Sequence, residues 1–128
     1  MRSLVRETVF KTIFSKLFNS NDEGLFDVLI KDFSDDDKDF ANSLYNAVIE
    51  NYQNAVEIIN ENATKFKFDR LYNVDKCILI LGITELDYFK QTSTSIIINE
   101  VVNLAAKYST ENSIGFINGF LAKYAKDR

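Results

Sequence analysis

The chain has 128 residues, 46% of them hydrophobic, which is enough to bury one core or two small subdomains that share one. With four glycines and no proline, it has few residues that interrupt helices, so long helices are favoured over the turn-rich strands of a sandwich or barrel. It has no histidine, which excludes histidine-based acid–base catalysis and Ser-His or Cys-His nucleophile pairs. Its one cysteine, Cys77, excludes an intramolecular disulfide and a cysteine-pair metal site.

The sequence offers no membrane segment and no catalytic cluster. Its longest apolar stretch runs from Cys77 to Ile83, far short of the roughly 20 residues that span a bilayer, and the N-terminus lacks the cleavage site of a secretory signal. We therefore expect a soluble, cytoplasmic protein. Asp75 and Glu85 lie ten residues apart, about 280° around a helix, so their carboxylates do not face one site. No enzyme activity, cofactor or metal is expected.

The net charge of −4 is unevenly distributed. Residues 1–18 carry four basic residues and one acidic residue, residues 19–63 carry two and eleven, and residues 64–128 carry nine and seven. If the two ends meet in the fold, they form a local basic surface beside an acidic region that repels phosphate. An ordinary solvated surface is the alternative interpretation.

Hydrophobic periodicity predicts two long helices, with a short apolar stretch between them, in the first half of the chain. The first helix covers residues 4–18, and the polar run 19–24 ends it. After the apolar stretch 25–33, Ser34 is a typical N-cap with an acidic residue three positions on, and it predicts a helix that reaches about residue 62. The acidic residues 35–39 are interpreted as the solvated start of that helix, since they lack the glycine and the ligand spacing of a calcium loop.

Three further helices are predicted in the second half. The stretch from Cys77 to Ile83 is apolar on every side, and flanking residues at helical spacing extend it to some sixteen residues, which is too long for a typical strand. We interpret it as a helix buried on most faces, in which Cys77 is a small buried hydrophobe. Residues 91–95 end this helix. Helices over residues 95–108 and 109–125 bring the total to about six.

Helical phase separates core from surface in the last two helices. In the first of them, Asn99, Asn103 and Lys107 are predicted to face outward. The opposite, core-facing residues are Ile97, Val101, Leu104 and Tyr108. The core stripe of the last helix is Ile114, Ile117, Leu121 and Tyr124. Phe116 lies about 120° from the centre of that stripe, on an exposed face with Lys123 and Asn112, whereas Phe120 lies closer to the core.

The face that carries Phe116 suits single-stranded nucleic acid. An aromatic ring stacks on an unpaired base, while a nearby lysine contacts phosphate. The alternative is that Phe116 packs against a neighbouring helix.

Three phrases in the second half carry a family resemblance: DRLYNVDKCILILGITEL at residues 69–86, INEVVNLAAKYS at 98–109 and FINGFLAKY at 116–124. In their order and spacing they resemble the NusB family of transcription antitermination factors, and RETVFKTIFSKL at residues 6–17 resembles the family's first helix. The resemblance implies an all-α fold of two packed antiparallel three-helix bundles. The chain would then be a single RNA-binding domain with subdomains of about residues 1–65 and 66–128.

The resemblance also implies partners. Family members bind boxA, a short single-stranded element of ribosomal RNA leader transcripts, together with a ribosomal protein called NusE, and the heterodimer helps RNA polymerase to read through terminators. Carried over by motif, the RNA surface involves Arg2, Arg6 and Phe116, to which Lys107 and Lys123 add candidate phosphate contacts. Because Arg6 shares the phase of core residues in its helix, the alternative is that it caps the core. The candidate contacts to NusE are Asp75, Glu85 and Asn112.

Departures from the family pattern leave alternatives open. The N-terminus has two arginines where many relatives have a cluster, Ile80 replaces a usual arginine, and Thr84 replaces a usual tyrosine. The alternative function is therefore a protein-interaction adaptor of the same fold with little RNA affinity of its own. Similar domains also precede the catalytic domain of some RNA cytosine methyltransferases, and that role would require a separate enzyme subunit here.

Overall fold

The fold is built from helices throughout the part of the chain that the structure describes. The structure is a computed structural model, and it describes residues 2–18 and 24–128. The helices are α1 (Arg2–Phe18), α2 (Leu25–Ile30), α3 (Asp35–Glu61), α4 (Asn73–Tyr88), α5 (Thr94–Tyr108) and α6 (Glu111–Asp127). The predicted all-α class and the six helices are confirmed. Most of the polar run predicted to end the first helix, residues 19–23, lies outside the described residues.

Three of the helices begin with a side-chain cap that the sequence encodes. The Ser34 hydroxyl accepts the backbone N–H of Asp37 at 3.1 Å, which confirms the predicted start of α3. Ser93 caps α5 in the same way, and Thr110 caps α6. None of the helices in the described ranges is long and apolar enough to cross a membrane.

The helix α4 is the centre of the core. Every side chain from Cys77 to Leu86 is buried, and the helix packs against α1, α3, α5 and α6. This confirms the prediction of a central helix that is buried on most faces. Burial also raises the pKa of the Cys77 thiol to about 12, which fits its interpretation as a buried hydrophobe rather than a reactive group.

Contacts between helix ends give the directions of the helices. The Arg6 side chain, near the start of α1, bonds to Glu85 near the end of α4, whereas Lys76 near the start of α4 lies over the ring of Phe18, so α1 and α4 are antiparallel. By contrast, α6 runs parallel to α4, because α6 bonds to the first turn of α4 near its own start and to the last turn of α4 near its own end. The start of α1 also lies against the start of α3, because Arg2 contacts Asp36 and Phe40, so α1 and α3 are parallel as α4 and α6 are. These directions fit the predicted two antiparallel three-helix bundles, α1–α3 and α4–α6. The division near residue 65 stays a prediction.

A short turn between the bundles was not predicted from the sequence. A single 3₁₀ turn, Phe68–Arg70, precedes α4. The Phe68 ring is buried, and its backbone N–H donates to the Asn60 side-chain oxygen at 2.8 Å. Three residues are too few to give a periodic signal, so long-range packing of Phe68 decides this turn.

Gly82 permits the close approach of α4 and α6. A Cβ atom at this position would lie 2.7 Å from Cδ1 and 3.2 Å from Cδ2 of Leu121, which is itself fully buried. At Gly119, on the exposed side of α6, an added Cβ would meet nothing within 4 Å. The two glycines therefore have opposite consequences for substitution.

We expect Gly82→Ala to lower the free energy of unfolding by about 1–3 kcal/mol, because the added methyl group overpacks the contact with Leu121. Gly119→Ala is the matched control, and it should raise stability by about 0.5–1 kcal/mol because alanine loses less backbone entropy in a helix. Urea unfolding of the two variants measures both values. Equal effects at the two positions would contradict the close approach.

Candidate nucleic-acid interface

The last helix presents one group of the predicted RNA-binding residues, which we call the α6 face: Asn112, Phe116 and Lys123. All three are exposed, and Phe116 retains 39% of its surface, whereas Phe120 is half-buried. The two phenyl rings meet edge to face with centroids 6.3 Å apart. The predicted difference in exposure between Phe116 and Phe120 is confirmed. Phe116 is therefore available to stack on a base while Phe120 supports it from the core side.

The cation of the α6 face is not held by an ion pair with another described residue. Lys123 makes no hydrogen bond or ion pair within the described ranges 2–18 and 24–128. Gly115 and Gly119 add no side chains to this side of the helix. A strand of RNA can therefore approach the helix closely, with its phosphate at Lys123 and a base against Phe116.

A second group of predicted residues lies where α1 meets α5 and α3. Lys107 donates to Glu7 at 2.6 Å, and Tyr108 donates to the same carboxylate. The hydrogen bonds from Lys107 and Tyr108 hold the pKa of Glu7 below its ordinary value. Lys107 is 61% exposed, but its charge is already balanced. No hydrogen bond, ion pair or ring contact between described residues joins this group to the α6 face.

Arg2 is the first residue of α1, and its charge is also partly paired. Its guanidinium lies 4.0 Å from the centroid of the Phe40 ring and 3.7 Å from the Asp36 carboxylate. The Arg2 side chain is 45% exposed and that of Asp36 is 83% exposed, so this ion pair is a weak surface contact. A phosphate group can compete for Arg2.

Arg6 and Glu85 form a buried ion pair, which corrects their prediction as surface contacts. The Arg6 side chain is 3% exposed and that of Glu85 is 0% exposed. The Arg6 Nε donates to both Glu85 oxygens, at 2.8 and 2.9 Å, and Nη1 reaches Glu100 at 3.3 Å. The physical reason is helical phase, because Arg6 shares the inward face of α1 with Phe10 and Ile13. Arg6 caps the core, and neither residue has a surface that a partner can touch.

Asp75 is likewise internal and holds the turn between α5 and α6. It is 4% exposed, and it accepts hydrogen bonds from Ser109 at 2.6 Å and from Ser113 at 2.8 Å. Its prediction as a direct partner contact is corrected, because its carboxylate is enclosed by these hydroxyl groups. Asn112, the third predicted partner contact, is exposed in the first turn of α6. Asp75 therefore positions the α6 face rather than contributing to its surface.

The partners of these charges could not be identified from the sequence. Glu7, Glu100 and Ser113 lie in helices, and Ser109 in the turn between α5 and α6, and all four are distant in sequence from the groups they bind. A buried arginine requires a carboxylate nearby, so the inward phase of Arg6 was the available signal. Glu85 and Glu100 lie 79 and 94 residues from Arg6 in the sequence, so the sequence alone does not show that they are the carboxylates it binds.

Comparison with known proteins places the chain in a family. The model of the NusB family matches residues 3–126. The chain belongs to the NusB family. The match confirms the resemblance that the three phrases carry.

Curated members of the NusB family match over nearly the whole chain. The transcription antitermination protein NusB of Agathobacter rectalis is 33% identical and covers 97% of this chain and 98% of its own length. That of Methylacidiphilum infernorum is 37% identical and covers 98% of this chain and 91% of its own length. Both relatives are named transcription antitermination proteins, in line with the non-enzymatic function predicted for this chain.

Solved structures of NusB proteins share the fold. NusB of T. maritima superimposes with a TM-score of 0.90 and 29% identity, over 100% of this chain and 92% of the other. A structure of the antitermination factors NusB and NusE in complex with dsRNA has a TM-score of 0.85 and 25% identity, over 99% and 97% of the two chains.

We expect Arg6→Met to lower the free energy of unfolding by about 3–5 kcal/mol, because Glu85 would remain as an unpaired buried charge. The double variant Arg6→Met with Glu85→Met should recover much of that loss, since it removes both charges. Arg2→Met, at the exposed pair, is the control and should change stability by less than about 1 kcal/mol. Equal losses for Arg2→Met and Arg6→Met in denaturant unfolding would show that the pair is not buried in solution.

Proposed function

We propose that this protein is a cytoplasmic transcription antitermination factor that binds boxA-type RNA of ribosomal RNA leader transcripts together with NusE and helps RNA polymerase to read through terminators. The observation that carries the proposal is the α6 face, where an exposed Phe116 and an unpaired Lys123 lie on one helix of a NusB-family chain. The solved complex of NusB and NusE with dsRNA supports an RNA-bound heterodimer of this fold.

The geometry suits a single strand. The Phe116 ring stacks on an unpaired base, and Lys123 contacts a phosphate of the same strand. Arg2 joins once phosphate replaces Asp36, at little cost because that ion pair is exposed. Asn112, at the start of the same helix, supplies an amide to NusE or to the RNA.

The paired charges explain why a partner is needed. Arg2 and Lys107 each face a carboxylate, and Arg6 is buried, so Lys123 is the one predicted RNA-binding cation without a counter-charge among the described residues. Electrostatic attraction for RNA is therefore weak in the protein alone. NusE then supplies additional RNA contacts and a fixed orientation.

We expect NusE to strengthen RNA binding by a coupling free energy of about 1–3 kcal/mol, and RNA to strengthen NusE binding by the same amount, since linkage is reciprocal. Titration of labelled boxA-type RNA with the protein, with and without its cognate NusE, measures the first value. Calorimetric titration of NusE with and without RNA measures the second. A duplex of the same sequence distinguishes single-strand from double-strand recognition. Equal affinity of the protein for RNA with and without NusE would exclude the heterodimer mechanism.

We expect Phe116→Ala to weaken RNA binding by about 1–3 kcal/mol, because it removes a stacking surface, while stability falls by well under about 1 kcal/mol. Phe120→Ala is the matched control on the same helix. Because Phe120 is half-buried and packs against the core, it should be the more destabilising change and the less damaging to RNA binding. RNA titration and denaturant unfolding test both orders, and the reverse order would remove Phe116 from the site.

The second candidate function is a protein-interaction adaptor with little RNA affinity. The internal pairing of Lys107 with Glu7 and of Arg6 with Glu85 favours it, because both pairs remove basic charge from the surface. An adaptor would bind NusE with the affinity of the RNA-bound state but would show no RNA binding in either titration.

A further inference from the structure

The segment that joins α3 to α4 alternates cations with aromatic rings. We call residues 65–72, with the sequence KFKFDRLY, the interbundle arm. The rings of Phe66 and Tyr72 are 57% and 64% exposed. The three cations, Lys65, Lys67 and Arg70, are also exposed. Two exposed rings among three exposed cations in one eight-residue segment make it a candidate interaction surface.

The interbundle arm is held in place by its own buried residue. Phe68 packs edge to face on Tyr52, with ring centroids 6.3 Å apart, and the Lys76 ammonium lies 5.1 Å from its ring. Asn60, near the end of α3, accepts two hydrogen bonds from the arm. Its side-chain oxygen accepts the Phe68 N–H, and its backbone carbonyl accepts the Lys67 ammonium at 2.9 Å. The exposed rings on either side of Phe68 are therefore presented by an ordered backbone, so little entropy is lost when they bind.

The charges of the interbundle arm are available to a ligand, whereas Arg2 and Lys107 each face a carboxylate. Neither Lys65 nor Arg70 makes an ion pair within the described ranges, and Lys67 bonds to a neutral carbonyl. Asp69 is the one acidic residue of the segment, which leaves an excess of positive charge. Unpaired cations between exposed rings match a single-stranded nucleic acid, which offers phosphates and base faces in alternation.

The interbundle arm lies at the same end of the molecule as the start of the α6 face. Its last residue, Tyr72, directly precedes α4, and Asp75 in the first turn of α4 bonds to Ser113 in the first turn of α6. Asn112 is the neighbour of Ser113, and Phe116 follows one turn later. A strand that leaves the α6 face at this end of α6 therefore reaches the end of the molecule that carries the interbundle arm.

We propose that the interbundle arm is a second RNA-binding surface, which takes single-stranded nucleotides flanking the element held by the α6 face. The rings of Phe66 and Tyr72 stack on bases, and Lys65, Lys67 and Arg70 contact phosphates. This inference rests on the proposed function, because it extends the path of the same RNA.

The test compares two RNAs in the presence of NusE: a short boxA-type element, and the same element with about eight unstructured nucleotides added on each side, a length within the site sizes of single-strand-binding surfaces. The arm variant is Lys65→Gln, Lys67→Gln and Arg70→Gln combined. On the long RNA it should reduce the magnitude of the slope of log K against log salt by about 2, because each lost phosphate contact of a single strand removes about 0.7. On the short RNA it should leave the slope unchanged.

The matched control neutralises three exposed lysines outside the interbundle arm that make no ion pair within residues 2–18 and 24–128, Lys31, Lys90 and Lys126. It should leave both slopes unchanged. Phe66→Ala and Tyr72→Ala, each made singly, should each weaken binding of the long RNA about 5- to 150-fold and spare the short RNA. Lys65→Gln with Arg70→Gln, which keeps the Lys67 bond to α3, should still reduce the slope by about 1.4 if the three-residue variant is poorly folded.

The outcomes separate the two proposals. If the short RNA binds and depends on Phe116 while the arm variants act like the control on the long RNA, the interbundle arm is not an RNA surface and the proposed function stands. If the arm variants weaken NusE binding but leave the salt slope unchanged, the arm is a protein contact and this inference is wrong. If neither RNA binds with NusE present, both proposals are overturned.

Discussion

The burial of α4, complete from Cys77 to Leu86, is the constraint on which the rest of the structure depends. A helix enclosed on all sides must satisfy its own polar groups from its neighbours, since an unpaired buried charge costs several kcal/mol. Three polar groups on α4 are paired in this way. Glu85 accepts hydrogen bonds from Arg6 of α1, and Thr84 accepts one from the Asn51 amide of α3 at 3.2 Å. Asp75 accepts hydrogen bonds from two serine hydroxyls, one in the α5–α6 turn and one in the first turn of α6. These bonds reach three different directions from one helix, and they fix the register of its neighbours.

The same constraint shapes the surface. Because Glu85 recruits Arg6 inward, the N-terminal helix keeps Arg2 as its exposed arginine. Thr84 stands where the family pattern has tyrosine, and its small hydroxyl is bonded within the core. Among the cations proposed to contact RNA, those without an ion pair to a described residue are Lys123 and the three of the interbundle arm. The scarcity of exposed arginine on α1 is thus a consequence of how the polar groups of α4 are paired.

Most of the fold followed from the sequence because its signals are local. The Ser34 cap, the length of the apolar α4 segment and the phases of α5 and α6 each depend on residues within a few turns of one another. The site was less predictable. Phase alone assigned Phe116 to the surface and gave Arg6 an inward alternative, but it could not show that Asp75 and Glu85 point to groups in other helices. The exposed rings of the interbundle arm were also hidden, since a short irregular segment has no period.

The α6 face has a fixed length because it lies on one rigid helix. Phe116 and Lys123 are seven residues apart, and a helix rises about 1.5 Å per residue, so their attachment points are separated by about 10 Å along the axis. Neither a loop nor a hinge can alter that spacing. A strand that binds both groups must therefore present a base and a phosphate at positions about 10 Å apart along the helix axis.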